Sequence, residues 1–249
     1  MLKTYTACQV KSLGLFLLIL SLVAPFSLYA DEENDGLKST VSLYIWGAGM
    51  KGNIGNLAGG SPVDISFGDI LDNLESGIMF NYRGKGDKWA LGIDYIYLSL
   101  SPTSDAPPAT VSLRESITEL SVGYEVQQGL EVLAGFRYVD IRMNATINSQ
   151  PPSISGNDSW FDPIVGLDYR RALSDKWQFY GRGDIGGFGV GSDLTWQLAG
   201  YFGYQPSENW NLFAGYRHVD VDYESDNEEK FFYDMAISGP LIGFGYYFQ

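Results

Sequence analysis

One histidine stands in this chain, and it stands among acids: His218-Val219-Asp220-Val221-Asp222. A histidine held by a carboxylate is the commonest general base, and with a nearby serine or water it would make a hydrolase. No serine is adjacent, however, and any acid–histidine pairing needs a second strand that the sequence does not place, so His218 reads as a polar residue of an outer rim. Gly181 to Gly191 is rich in glycine, but a phosphate loop needs a helix after the glycines, and here another strand-like segment follows. Close backbone packing or a bend explains it better. There is no Cys/His cluster for zinc and no EF-hand spacing. No catalytic, cofactor or metal residue is therefore assigned. The remaining chemistry is a set of polar and charged residues within alternating segments: Asn81, Asp94, Glu119, Arg137, Asp168, Arg170, Arg182, Asp184 and Arg217. Both signs occur in comparable numbers. Turned toward one interior, such residues either pair and fill it, or line a pore.

The segments that carry them repeat. A Tyr-containing stretch runs into a tight polar turn, then an aromatic or apolar residue, a few alternating residues and a charge. Asn81-Tyr82 leads through Gly84-Lys85-Gly86-Asp87 to Trp89 and Asp94, and Tyr169-Arg170 through Ser174-Asp175-Lys176 to Trp177 and Arg182. Tyr204 leads through Pro206-Ser207-Glu208-Asn209 to Trp210 and Arg217, and Tyr124 through Gln127-Gln128-Gly129 to Leu130 and Arg137. These are hairpins with aromatics beside every turn, the pattern of a transmembrane β-barrel. Apolar residues alternate with polar or small ones over lengths suited to a tilted spanning strand: Ile78, Phe80 and Tyr82 against Met79, Asn81 and Arg83; Val165, Leu167 and Tyr169 against Gly166, Asp168 and Arg170. Tyr82, Trp89, Tyr124, Tyr169, Trp177, Tyr204 and Trp210 form the expected aromatic girdle.

Residues 1–30 read as a cleaved signal peptide. Lys3 and Lys11 precede an apolar core from Leu13 to Ala24, and Ala30 offers a small residue at the cut. The only cysteine, Cys8, lies within this leader. Removing it takes two lysines and no acids, so sixteen basic residues fall to fourteen against thirty acidic, a net charge of −16. That charge argues against nucleic acid as a partner. The acidic clusters Asp31–Asp35 and Asp226–Glu229 read as a solvated terminus and loop; bridging to lipopolysaccharide phosphates is the sharper alternative. Residues 31–249 form one all-β domain without a linker. The expected fold is a closed antiparallel transmembrane β-barrel of about ten strands, at 38–50, 75–85, 88–101, 110–127, 130–148, 158–172, 176–190, 192–205, 209–224 and 230–249, with eight or twelve left open. The link 51–74 reads as a loop carrying a short helix from about Phe67 to Leu74, with Ile65, Phe67, Ile70, Leu71 and Leu74 opposite Asp64, Asp69 and Asp72; it would pack on the rim or cap the mouth.

Three stretches carry a resemblance: Val63 to Leu74, Gly186-Gly187-Phe188-Gly189-Val190-Gly191-Ser192, and Ser238-Gly239-Pro240-Leu241-Ile242-Gly243. On these the chain resembles the Gram-negative outer-membrane barrels gathered as OmpA- or OmpW-like, and within them a family to which no activity is assigned. The resemblance implies an outer-membrane location, contact with membrane lipid and lipopolysaccharide, and insertion by the barrel-assembly machinery. Such barrels usually end on an aromatic, whereas here Tyr246-Tyr247-Phe248 is followed by Gln249. Ten strands with long charged residues inside should leave little space. The expected protein is thus a monomeric, largely filled barrel with a structural, adhesive or surface-interaction role, and not an enzyme. A porin-like small-solute channel is the alternative and a surface hydrolase the distant one.

Overall fold

The structure, a computed structural model, describes residues 37–248 apart from 57–58, 102, 106–107, 148–153 and 226–229. The expected leader and its cleavage point, Gln249 and both acidic clusters lie outside the described residues. The strands are β1 (Lys38–Trp46), β2 (Gly49–Asn56), β3 (Gly59–Ile65), β4 (Leu74–Lys85), β5 (Trp89–Leu100), β6 (Thr103–Asp105), β7 (Pro108–Gln127), β8 (Leu130–Ile147), β9 (Ile154–Ala172), β10 (Trp177–Gly187), β11 (Leu194–Tyr204), β12 (Trp210–Glu224) and β13 (Phe232–Phe248). Ten of them close a ring in the order β1-β4-β5-β7-β8-β9-β10-β11-β12-β13, each pair antiparallel. β13 returns to β1, from Ser39 opposite Phe248 to Trp46 opposite Leu241. Closure leaves no row of unpaired N–H and C=O groups facing lipid, the condition for strands to cross a membrane.

At one end the hairpins are tight, and Leu37 and Phe248 lie there too. Gly129 occupies the second turn position between β7 and β8 with φ +77, and a Cβ there would sit 2.2 Å from the Arg170 carbonyl oxygen, so the turn requires glycine. At the other end the wall is uneven. β7, β8 and β9 run 20, 18 and 19 residues, whereas β10 and β11 run 11 each. The link 51–74 departs from the expectation of a loop: β2 and β3 form a hairpin whose first strand pairs with β13 from Gly49–Ser238 to Gly55–Phe232. Its glycines mask the alternation, because a residue without a side chain contributes nothing to an apolar/polar period. The expected short helix is present as α1 (Phe67–Asp72). Ser66 caps it reciprocally with Asp69, and Ile70 is buried in the core. β1 and β4 pair only from Lys38–Lys85 to Leu43–Phe80, and beyond that point the Trp46 N–H turns to the Met79 sulfur instead.

Away from the irregularities at Leu74/Ser76 and Glu125/Gln127, the described side chains of a strand alternate between the same two faces, but the polarity of those faces changes along its length. On β12 the outward residues are Trp210, Leu212, Ala214 and Tyr216, then His218, Asp220, Asp222 and Glu224; the inward ones are Asn211, Phe213, Gly215 and Arg217, then Val219, Val221 and Tyr223. β8 does the same, with Val132 and Tyr138 outward before Asp140 and Arg142, and Arg137 inward before Val139 and Ile141. Lipid surrounds the first part of the wall and water the second, so apolar groups turn outward in one and inward in the other. The apolar core accordingly fills the long-strand half: Trp46, Ile96, Ile117, Val139, Ile141, Trp160, Val221, Tyr223, Tyr233 and Met235.

Candidate functional site

The interior contains three layers, each set by the inward-facing residues of successive rows. Nearest the tight turns, the Arg83 guanidinium donates to both Glu131 carboxylate oxygens at 2.7 and 2.6 Å, and reaches Asp168 at 3.7 Å. Lys85 bridges Glu125 at 2.6 Å and Glu131 at 3.2 Å. Arg170, Tyr180 and Tyr201 form a cross-strand row on β9, β10 and β11. The guanidinium lies 4.4 Å from the Tyr180 ring centre, the Tyr180 hydroxyl donates to Asp168 at 3.0 Å, and the two tyrosines stack at 4.3 Å.

The second layer is a belt of ion pairs. Arg137 donates to Glu119 at 3.0 Å, Asp184 at 2.8 Å and the Thr195 hydroxyl at 3.0 Å. Arg182 pairs with Asp184 at 2.8 Å and with Glu119. The Gln197 amide donates to Asp184 at 2.9 Å and accepts from Arg217 Nε at 2.7 Å, and Arg217 also donates to Asp94 at 2.8 Å. The Tyr44 hydroxyl completes the set, donating to Asp94 at 2.9 Å. Asn81 stands beside the belt and donates to the Ile93 carbonyl. These contacts are charge-assisted and short, the kind that holds up where water is scarce. The third layer is apolar, with Trp160 stacked on Tyr223 at 4.0 Å and tilted against Tyr233 at 5.6 Å. One acid enters it: Glu115 on β7, whose carboxylate accepts from the Tyr233 hydroxyl at 3.2 Å.

All nine polar and charged positions read from the sequence thus face the interior. Glu119, Arg137, Arg182 and Asp184 share one network, Asp94 and Arg217 join it through Gln197, and Asp168 and Arg170 belong to the layer below. Tyr44, Lys85, Glu115, Glu131, Asp162, Thr195 and Gln197 were not singled out. Their signal was the same alternation, but Lys85 and Glu131 flank turns, where a charge reads as turn chemistry. The girdle residues face outward and pair across strands: Trp89 with Tyr124 at 4.8 Å, Trp177 with Tyr204 at 5.0 Å, and Trp210 with Tyr246 at 5.1 Å. Tyr82 and Tyr169 stand on the same outer face. His218 faces outward too, 4.0 Å from Asp220 and against Trp196 at 4.5 Å. Its register partners are Leu198 on β11 and Ser238 on β13, on the same outer face. Among the described residues no cluster of His, Cys, Asp and Glu could hold a metal ion.

The interior is less full than side-chain length suggested. Between the first two layers lies a cavity of about 140 Å³ that reaches the tight-turn end at Gln178, Asn211 and Tyr247. Small inward residues make the room, with Ala199 and Gly203 flanking Tyr201 on β11. The space stops at Arg217 and at Leu241, the one member of the buried apolar core that lines it.

No protein-family model matches the chain, and no curated protein matches it in sequence. Solved structures do. The outer-membrane protease OmpT of Escherichia coli is similar over 89% of this chain and 100% of its own, at 10% identity and a TM-score of 0.50. Ail, the attachment invasion locus protein of Yersinia pestis, is similar over 85% and 99%, at 12% identity and a TM-score of 0.40. The translocator domain of the autotransporter NalP from Neisseria meningitidis is similar over 98% and 97%, at 16% identity and a TM-score of 0.45. At these identities the likeness is one of fold. A closed ten-stranded antiparallel barrel, apolar outside over one band and girdled by aromatics, is an outer-membrane β-barrel, and its place is the outer membrane.

Proposed function

We propose that the protein is a sealed barrel whose working surface is its outer rim, with a structural or surface-interaction role and no solute flux through the lumen. The observation that carries this reading is the third layer: aromatic and branched side chains from β1, β5, β7, β8, β9, β12 and β13 meet across the lumen, and Trp160, Tyr223 and Tyr233 stack in it. A conducting pore needs a continuous polar path, and here the path from the tight-turn end stops at the charge belt. The rim supports the second half of the reading. Strands as long as β7–β9 stand beyond the lipid-facing band and present Arg114, Asp140 and Arg142 on one side and Asp220, Asp222 and Asp234 on the other. Lipopolysaccharide and outer-membrane lipid would be its lateral neighbours. The role of OmpT as a protease is not carried over, because at 10% identity the likeness is one of fold alone. Planar-bilayer recording of the refolded barrel tests the reading. A flat baseline is expected; reproducible open steps in the unmodified protein would favour a channel and sink it.

A further inference from the structure

Arg170 is the exception in an interior where every other cation is paired. Arg83, Lys85, Arg137, Arg182 and Arg217 each contact a carboxylate within 2.8 Å. Arg170 has no carboxylate within 4.0 Å among the described residues, and its Nε–H, like those of Arg83 and Arg137, is buried without a hydrogen-bond partner. Its nearest acids, Asp168 and Glu131, are already held, the first by the Tyr180 hydroxyl and Arg83, the second by Arg83 and Lys85. Both act on Arg170 only at a distance, so its guanidinium is less fully compensated than those of the other interior arginines. Arg170 lies on the wall of the cavity, and the lining holds four guanidinium groups, of Arg83, Arg170, Arg182 and Arg217, against one carboxylate, Asp94.

We infer that this cavity is a binding site, open to the periplasm, for a small organic anion: one carboxylate or phosphate group on a planar body no larger than about one ring. Charge comes from the Arg170 guanidinium, which lies on the Tyr180 ring with no carboxylate within 4.0 Å among the described residues, and so can share its N–H donors with a planar anion. The body of the ligand would pack against the Tyr180–Tyr201 stack, facing the space left by Ala199 and Gly203. Size comes from the volume: about 140 Å³ is close to the ~150 Å³ known to admit benzene. The Gln178 amide, which donates to Asn211 at 3.2 Å and to Tyr247 at 3.1 Å, lines the mouth. Access is from the tight-turn end alone, because the apolar layer seals the other, so the ligand is a periplasmic solute.

The test is calorimetric titration of the refolded barrel in a zwitterionic detergent with benzoate, phenyl phosphate and the uncharged analogue benzamide. One saturable site is expected for at least one anion, with benzamide at least tenfold weaker; whichever anion binds more tightly identifies the recognised group. Arg170→Gln should weaken that anion tenfold or more, and Arg171→Gln, the same loss of charge on the neighbouring exposed residue, should leave it within twofold. Ala199→Leu fills the cavity and keeps every charge, so it should abolish the titration, and it decides the matter should Arg170→Gln not refold. No saturable binding of either anion, or full affinity in Arg170→Gln or Ala199→Leu, would overturn the proposal.

Discussion

Arg137 is 1% exposed and serves two carboxylates and a hydroxyl at once. Removing it would strand Glu119 and Asp184 inside the wall, and breaking a buried pair from one side costs on the order of 3–5 kcal/mol. Arg137→Ala should therefore lower the unfolding free energy of the refolded barrel by that amount, read as a fall in its denaturant midpoint. Arg182→Ala should act in the same direction but less, since Arg137 and Gln197 still hold Asp184. Lys176→Ala, on an exposed turn, should stay within about 0.5 kcal/mol. Glu115 behaves differently, and its level in the wall matters. Its outward neighbours along and across the strands are Arg114, Ser116, Asp140 and Arg142, so it lies beyond the lipid-facing band. Burial among apolar side chains pushes its carboxyl up to about 7, against the weaker opposing pull of the Tyr233 hydroxyl. The folded state thus binds a proton that the unfolded chain releases near its ordinary value. Stability from this group is complete below about pH 4.5 and is lost as pH rises through 7, a swing of about 3 kcal/mol from 1.36 kcal/mol per unit. Unfolding midpoints measured from pH 5 to pH 8 should fall in the unmodified protein and stay flatter in Glu115→Gln; identical slopes would refute the assignment.

Among the elements, the β10–β11 hairpin shows how a short wall is secured. Gly187, Phe188 and Gly189 all adopt positive φ, at +85, +53 and +71, and Phe188 is a residue that rarely does so. The turn is held from the neighbouring strand. Asp162 on β9 is fully buried and accepts from the Ser192 N–H at 2.6 Å with one oxygen and from the Trp160 indole N–H at 3.1 Å with the other. Asp162→Ala would leave two buried donors unpaired, at ~1–3 kcal/mol each. It should lower stability by several kcal/mol and open the 187–193 turn to protease, whereas Asp162→Asn, with one acceptor left, should do roughly half as much. This element was legible only in part. The glycines of 181–191 marked a bend, but strands extended to 190 and resumed at 192, whereas β10 stops at Gly187 and β11 starts at Leu194. The turn between them is held by Asp162, thirty residues away from Ser192 in sequence, and no local period carries that information. The β2–β3 hairpin was missed for a related reason. Its pairing with β13 is a tertiary fact, and Gly49, Gly52, Gly55, Gly59 and Gly60 show no period of their own.

At the scale of the whole molecule, the barrel is two environments stacked on one set of strands. Alternation was readable because a strand's side chains change face at every residue, which no later event along it alters. Trp210, Leu212 and Arg217 could be assigned to faces from that alone. The exchange of polarity beyond Tyr216 was not foreseen, because inferring that apolar means outward assumes lipid on the outside. Val219, Val221 and Tyr223 point inward since water surrounds the wall at their height. This arrangement makes a prediction that depends on depth and not on face. Ile242 and Ala236 lie on the same outer face of β13, opposite Ala214 and Asp220 respectively. Ile242 is 64% exposed in the middle of the apolar band, whereas Ala236 stands between Asp234 and Ser238 above it. Arginine at Ile242 should cost ~2–4 kcal/mol near the bilayer midplane, and arginine at Ala236 about 1 kcal/mol or less. Reversible unfolding from lipid vesicles reads both, with micelles as the contrast, since only a bilayer imposes depth. Equal costs at the two positions in vesicles would mean that the long-strand half is also immersed, and the account of why its core turned inward would fail.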